Sequence, residues 1–180
     1  PGWEGVPGTE CSVVGLSGDG TQSHVNGSSL ASKNLTGSLS ALPGLTSLSG
    51  FYANDNHLTG PIPALTGLTG LTDFRVYSNQ LTGPLPGLTG LTNLQSFYVD
   101  GNQLTGGLPA LTGLTNLTIF NVSVNQLSGN IPALTGLTYL QHFLVADNQL
   151  TGTLTNLTGF SNLVFFIAEF TSLTSPFPSL

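Results

Sequence analysis

Phenylalanine returns at Phe51, Phe74, Phe97, Phe120, Phe143 and Phe166, each 23 residues after the last. Asn56, Asn79, Asn102, Asn125 and Asn148 keep the same interval, as do Gly60, Gly83, Gly106, Gly129 and Gly152. A fixed period of this length decides the architecture before any other consideration. A single unit cannot enclose its own apolar edge, whereas units stacked in register bury a continuous core. The 180-residue chain is therefore expected to wind as a solenoid.

A representative unit runs from Leu88 to Ala110. Within it Leu94, Phe97 and Val99 are expected to point inward, with Tyr98 outward at strand period. Asn102 then turns the chain, and its side-chain amide can bond backbone groups of its own and the neighbouring coil. Gly106 permits a backbone conformation that a Cβ would oppose. Leu104 and Leu108 bring the chain back beneath the core. Stacking would align the Phe rings in a spine, with ring contacts adding to burial.

The unit fits L-x-x-L-x-L-x-x-N-x-L, and four units continue into an L-x-G-x-(I/L)-P run. These runs are Leu58-Thr-Gly-Pro-Ile-Pro63, Leu81-Thr-Gly-Pro-Leu-Pro86, Leu104-Thr-Gly-Gly-Leu-Pro109 and Leu127-Ser-Gly-Asn-Ile-Pro132. The chain thus resembles the plant-type subclass of the leucine-rich repeat family. It is similar both to receptor ectodomains and inhibitor proteins and to secreted bacterial proteins of that family. The resemblance implies a β-rich solenoid, a right-handed superhelix with one parallel β-sheet on its concave face and an irregular or 3₁₀ convex side. Frequent Gly and Pro also disfavour helices on that side. Residues 25–180 are expected to form about seven coils, the last degenerate. Residues 1–24 resemble an N-terminal cap, with Trp3-Glu-Gly-Val6 followed by Cys11. Caps of the family pair this cysteine with one just upstream of the Trp, leaving Cys11 either paired with a residue before Pro1 or free.

Charge narrows the partners. Only 6% of residues are charged, and Lys+Arg 2 stand against Asp+Glu 8, giving −6 at pH 7. Two bases cannot displace counterions from a phosphate backbone, which excludes nucleic acid and anionic membrane surfaces. Phe160 to Phe170 is the longest apolar stretch, too short to span a bilayer and interrupted by Glu169. No membrane insertion is expected. Asn26, Asn34, Asn116, Asn121 and Asn156 head Asn-x-Ser/Thr triplets. They are glycan acceptors in a eukaryotic secreted protein, or chance in an Asn- and Thr-rich chain. Scarce lysine with abundant Thr, Ser and Asn points to an extracellular protein.

Outward strand positions form columns. The central one reads Tyr52, Arg75, Tyr98, Asn121, Leu144 and Ile167. Around it stand Asp73 on one side and Tyr77 and Asp100 on the other. Tyr gives rigid contact area with a polar tip, so Tyr52, Asp73, Arg75, Tyr77, Tyr98 and Asp100 are the candidate partner-binding set. Plain strand propensity would also place Tyr here, and Arg75 would then only neutralise Asp73 or Asp100. The two ends offer a second set: Trp3 and Val6 at the front, Phe165, Ile167, Phe170 and Phe177 at the back. An uncovered apolar end would join subunits head to tail into a filament. Thr66, Thr89, Thr112, Thr135 and Thr158 form a hydroxyl column that could order water or ice, or simply be solvated surface.

Nothing organises a catalytic group. His24, His57 and His142 fall on different coils, and no nucleophile-elbow, zincin or phosphate-loop motif occurs. Asp55, Asp73, Asp100 and Asp147 are oxygen donors whose spacing matches no calcium loop. The expected function is recognition of a protein ligand through the concave face, without enzyme activity, metal or cofactor. The alternative is a structural subunit of an extracellular fibre.

Overall fold

The computed structural model describes residues 16–18, 25–39, 42–153 and 160–174, with the backbone alone for 16–18 and 25–29. Its strands form two ladders. The first contains β1 (Leu16–Gly18), β2 (Val25–Ser29), β4 (Gly50–Tyr52), β6 (Asp73–Arg75), β8 (Ser96–Tyr98), β10 (Ile119–Asn121), β12 (His142–Leu144) and β14 (Phe165–Ile167). The second contains β3 (Thr36–Gly37), β5 (His57–Gly60), β7 (Gln80–Pro84), β9 (Gln103–Gly106), β11 (Gln126–Asn130), β13 (Gln149–Thr153) and β15 (Ser172–Thr174). Within each ladder, strands follow chain order. Every pairing is parallel except β1 with β2, which is antiparallel at the N-terminal edge. The β-solenoid expected from the repeat is the fold observed. The second parallel ladder is an addition to that expectation. Its Gln-Leu-Thr-Gly segments pair backbone to backbone and carry little side-chain signature of a strand.

Strands β4 to β14 of the first ladder are three residues long, and their middle residue faces the core. Phe74, Phe97, Phe120 and Phe143 are fully buried, with partly exposed residues on either side in β6, β10 and β12. Register places Phe51, Phe74, Phe97, Phe120, Phe143 and Phe166 opposite one another. Their rings stack at centroid distances of 5.7, 5.6, 5.6, 5.6 and 5.4 Å, inside the range of favourable offset pairs. Three leucines per unit close the coil behind the spine. In one coil Leu91 N–H donates to Leu88 C=O at 3.2 Å and Leu94 N–H to Leu91 C=O at 2.9 Å. These i to i+3 bonds make tight 3₁₀-like turns that expose Thr89 and Thr92.

The asparagine ladder ties successive coils. Asn102 Oδ1 accepts from Leu81 N–H of the preceding coil at 3.0 Å. Its Nδ2 donates to Val76 C=O of that coil and Val99 C=O of its own, at 3.1 and 3.0 Å. Asn56, Asn79, Asn125 and Asn148 repeat the arrangement. One residue before each ladder position the backbone enters the left-handed region: Ser32, Asp55, Ser78, Gly101, Val124, Asp147 and Phe170 have φ between 52 and 62°. This turn lets the amide face inward. Thr171 stands at the ladder position of the last coil, and among the described residues its Oγ1 bonds within that coil, to Ala168 C=O at 2.7 Å.

Candidate functional site

β4, β6 and β8 place Tyr52, Arg75 and Tyr98 side by side in register. The Arg75 guanidinium carbon lies 5.4 Å from the Tyr52 ring centroid and 5.2 Å from that of Tyr98. Both are within cation–π range, so the three residues form a sandwich across three strands. Arg75 Nη2 donates to Asp73 Oδ1 at 2.8 Å. That hydrogen bond raises the guanidinium pKa above its ordinary value, against an opposing effect of burial. Arg75 Nε is buried with no acceptor among the described residues. Arg75, its side chain 39% exposed, is thus neutralised by Asp73 and stands between two tyrosine rings.

Gly50 completes this arrangement. A Cβ there would lie 2.8 Å from Tyr52 Cε2 and 2.9 Å from its hydroxyl oxygen. The Tyr52 ring folds back over Gly50, and a Cβ there would push the ring out of this rotamer. The sequence gives no sign of this role for Gly50, because it depends on the Tyr52 rotamer.

Tyr77 and Asp100 lie just beyond β6 and β8. The Tyr77 and Tyr98 rings meet edge to face at 6.2 Å. Burial pushes the Tyr98 hydroxyl pKa up, with Arg75 opposing. Burial likewise raises the Asp100 carboxyl above its ordinary 3.8, with a backbone hydrogen bond opposing and Asp55 adding to the rise. Asp100 Oδ1 is buried without a donor among the described residues. All six candidate binding residues thus fall in one patch. Towards the C-terminus the same face turns apolar, through Ile119, Leu144 and Ile167.

The other candidates are scattered. Phe165 is 50% exposed, Val164 64% and Phe170 80%, while Ile167 is half-buried. Phe165 also meets the His142 ring edge to face at 5.2 Å. Trp3, Val6, Cys11, His24, Asn156, Thr158 and Phe177 lie outside the described residues, as does the side chain of Asn26. Asn34 is exposed. Asn116 Nδ2 is engaged with Thr92 C=O at 2.8 Å, and Asn121 Oδ1 accepts from Ser123 N–H at 3.2 Å on the same face as Tyr98. Thr66, Thr89, Thr112 and Thr135 are exposed on the turns. Among the described residues no three His, Cys, Asp or Glu side chains group as metal ligands, and no helix is long and apolar enough to cross a membrane.

The Leucine Rich Repeat family profile matches residues 93–114. The BIR2 ectodomain from Arabidopsis thaliana is 30% identical at a TM-score of 0.60; the match covers 69% of this chain and 68% of that one. The chain belongs to the leucine-rich repeat family. A TDR receptor matches at 30% identity and a TM-score of 0.74 over 77% of this chain. The Arabidopsis receptor kinase HAESA, in complex with the peptide hormone IDA and the co-receptor SERK1, matches at 28% identity and a TM-score of 0.72 over 79%. This leucine-rich repeat chain spans only 25% and 29% of those two receptor chains. No curated protein sequence matches it.

Proposed function

We propose that the chain is an extracellular, non-enzymatic recognition module that binds a protein ligand across the face of β4 to β12. The observation that carries this reading is the Tyr52–Arg75–Tyr98 sandwich with Tyr77 beside it. Rings held in place before binding lose little conformational freedom on contact, which favours affinity. The complexes of HAESA-type receptors with peptide ligands support the class of partner. The test is selection of a displayed random-peptide library on the immobilised chain. Recognition predicts enriched peptides whose binding is lost in Tyr98→Ala and Arg75→Ala, with the oligomeric state unchanged. Peptides that bind both variants as well as the parent would refute the assignment.

A second reading rests on the last described coil. Val164, Phe165 and Phe170 are exposed there, and no described strand pairs with β14 or β15 on the outer side. Such an edge fits end-to-end assembly of a fibre subunit through Phe165, Ile167, Phe170 and Phe177, with Trp3 and Val6 at the other end. Light scattering and negative-stain imaging over a concentration series decide it. Mass rising with concentration, and reversed by Phe170→Asp, supports assembly; a monomer at every concentration removes it.

A further inference from the structure

The face already contains one complete recipe for holding a guanidinium. Tyr52 and Tyr98 supply two aromatic faces, Asp73 supplies the carboxylate, and Arg75 is the cation they hold. The adjoining group has similar parts without a cation, its two rings touching edge to face rather than flanking a gap. Tyr77 and Tyr98 supply the rings, 6.2 Å apart, and Asp100 supplies the carboxylate.

Among the described residues no base completes this second group. The two Lys and Arg residues of the sequence are Lys33 and Arg75. Arg75 is taken by Asp73, and Lys33 is exposed on the first coil, at the ladder position that precedes Asn56. His57 contacts Gln80 at 3.4 Å, and His142 packs on Phe165. Asp100 is left with Oδ1 buried and undonated, so a partner must approach through Oδ2. A half-buried carboxylate with an orphaned oxygen calls for an explanation. A cation from outside, bonded to Oδ2 and laid over aromatic faces, would leave Oδ1 as it is but offset the burial of the carboxylate's charge.

We infer that Tyr77, Tyr98 and Asp100 form a subsite for a basic side chain, Arg or Lys, of the protein ligand. The inference rests on the recognition reading above and specifies its chemistry. The bound segment places its cation against Asp100 and runs its apolar residues towards Leu144 and Ile167. Three coil steps, from β8 to β14, separate those ends, about 14 Å at the strand spacing, which an extended segment of roughly five residues spans.

The library selection tests this on the full chain. Enriched peptides should carry an Arg or Lys. Replacing that Arg by citrulline, or that Lys by norleucine, should weaken binding at least about tenfold, the scale of a charge-assisted hydrogen bond. Asp100→Asn should weaken the parent peptide by a similar factor, yet leave the neutral analogue unchanged. That coupling identifies the contacting pair. Enriched peptides that need Tyr98 but carry no base, or show no coupling to Asp100, overturn the subsite and leave recognition standing. No enrichment over an unrelated surface removes both.

Discussion

Replacing Asn102 by Ala tests what joins one coil to the next. The loss can be worked from its bonds. Leu81 N–H gives its hydrogen to Asn102 Oδ1 at 3.0 Å in a buried setting, and Ala would leave it unpaired. The carbonyls fare better. Val76 C=O also accepts from Asn79 Nδ2, and Val99 C=O also accepts from Asn125 Nδ2, both at 3.1 Å. Each keeps one donor when Asn102 is removed. An orphaned buried N–H costs about 1–3 kcal/mol, and each weakened carbonyl roughly 0.5–1 kcal/mol, so the expected loss is about 2–5 kcal/mol. That is a large share of the roughly 5–15 kcal/mol that holds a typical domain. Equilibrium urea unfolding at pH 7 measures it. Asn93→Ala is the control, since Asn93 Nδ2 makes one exposed bond, to Thr69 C=O at 2.9 Å, worth no more than about 0.5 kcal/mol. If the two variants lose stability equally, the ladder does not join the coils in the way described.

Val124 holds a β-branched side chain at φ 53° and is 54% exposed; Val124→Asn should gain about 1 kcal/mol in the same unfolding assay. Phe97→Ala, between two stacked rings, should cost about 3–5 kcal/mol, and Phe166→Ala clearly less, because Phe166 is only half-buried. Asp100→Asn should stabilise the chain at pH 7. The folded carboxyl titrates above its ordinary 3.8, so its ionised form destabilises the fold, and that penalty fades as pH falls through the raised folded value. Thermal unfolding at pH 7 and at pH 3 should show a gain at the first and none at the second. The same result certifies the variant as folded for the binding test.

What the sequence makes legible is whatever recurs once per coil with an obligatory geometry. Phe97 and its counterparts appear as a spine because the centre of each short strand is the position that faces the core. Asn102 is readable because only a side-chain amide donates and accepts at that bend. The second ladder is harder to see, since backbone groups of Gln103–Gly106 make it and the residues themselves are poor strand formers. The left-handed column is half visible: Ser78, Asp55 and Gly101 suit such a turn, whereas Val124 and Phe170 conceal it. In the candidate site, the columns bring the six residues together correctly on paper. The division of labour among them is not readable there. Arg75 was equally able to meet Asp73, Asp100 or a ligand, and only the distances assign it to Asp73 and two rings. Gly50 as the seat of the Tyr52 ring is invisible without a rotamer.

The central claim is that the tyrosine face is the contact surface. Hydroxyl-radical footprinting of the full chain, with and without a library-selected peptide, tests it through the chain's own four tyrosines. Tyr52, Tyr77 and Tyr98 stand on the face, and Tyr139, 59% exposed on the turn side, is the internal reference. The account predicts slower oxidation of the first three on binding and no change at Tyr139. Protection of Tyr139 or Phe170, with the three face tyrosines unaffected, would contradict it.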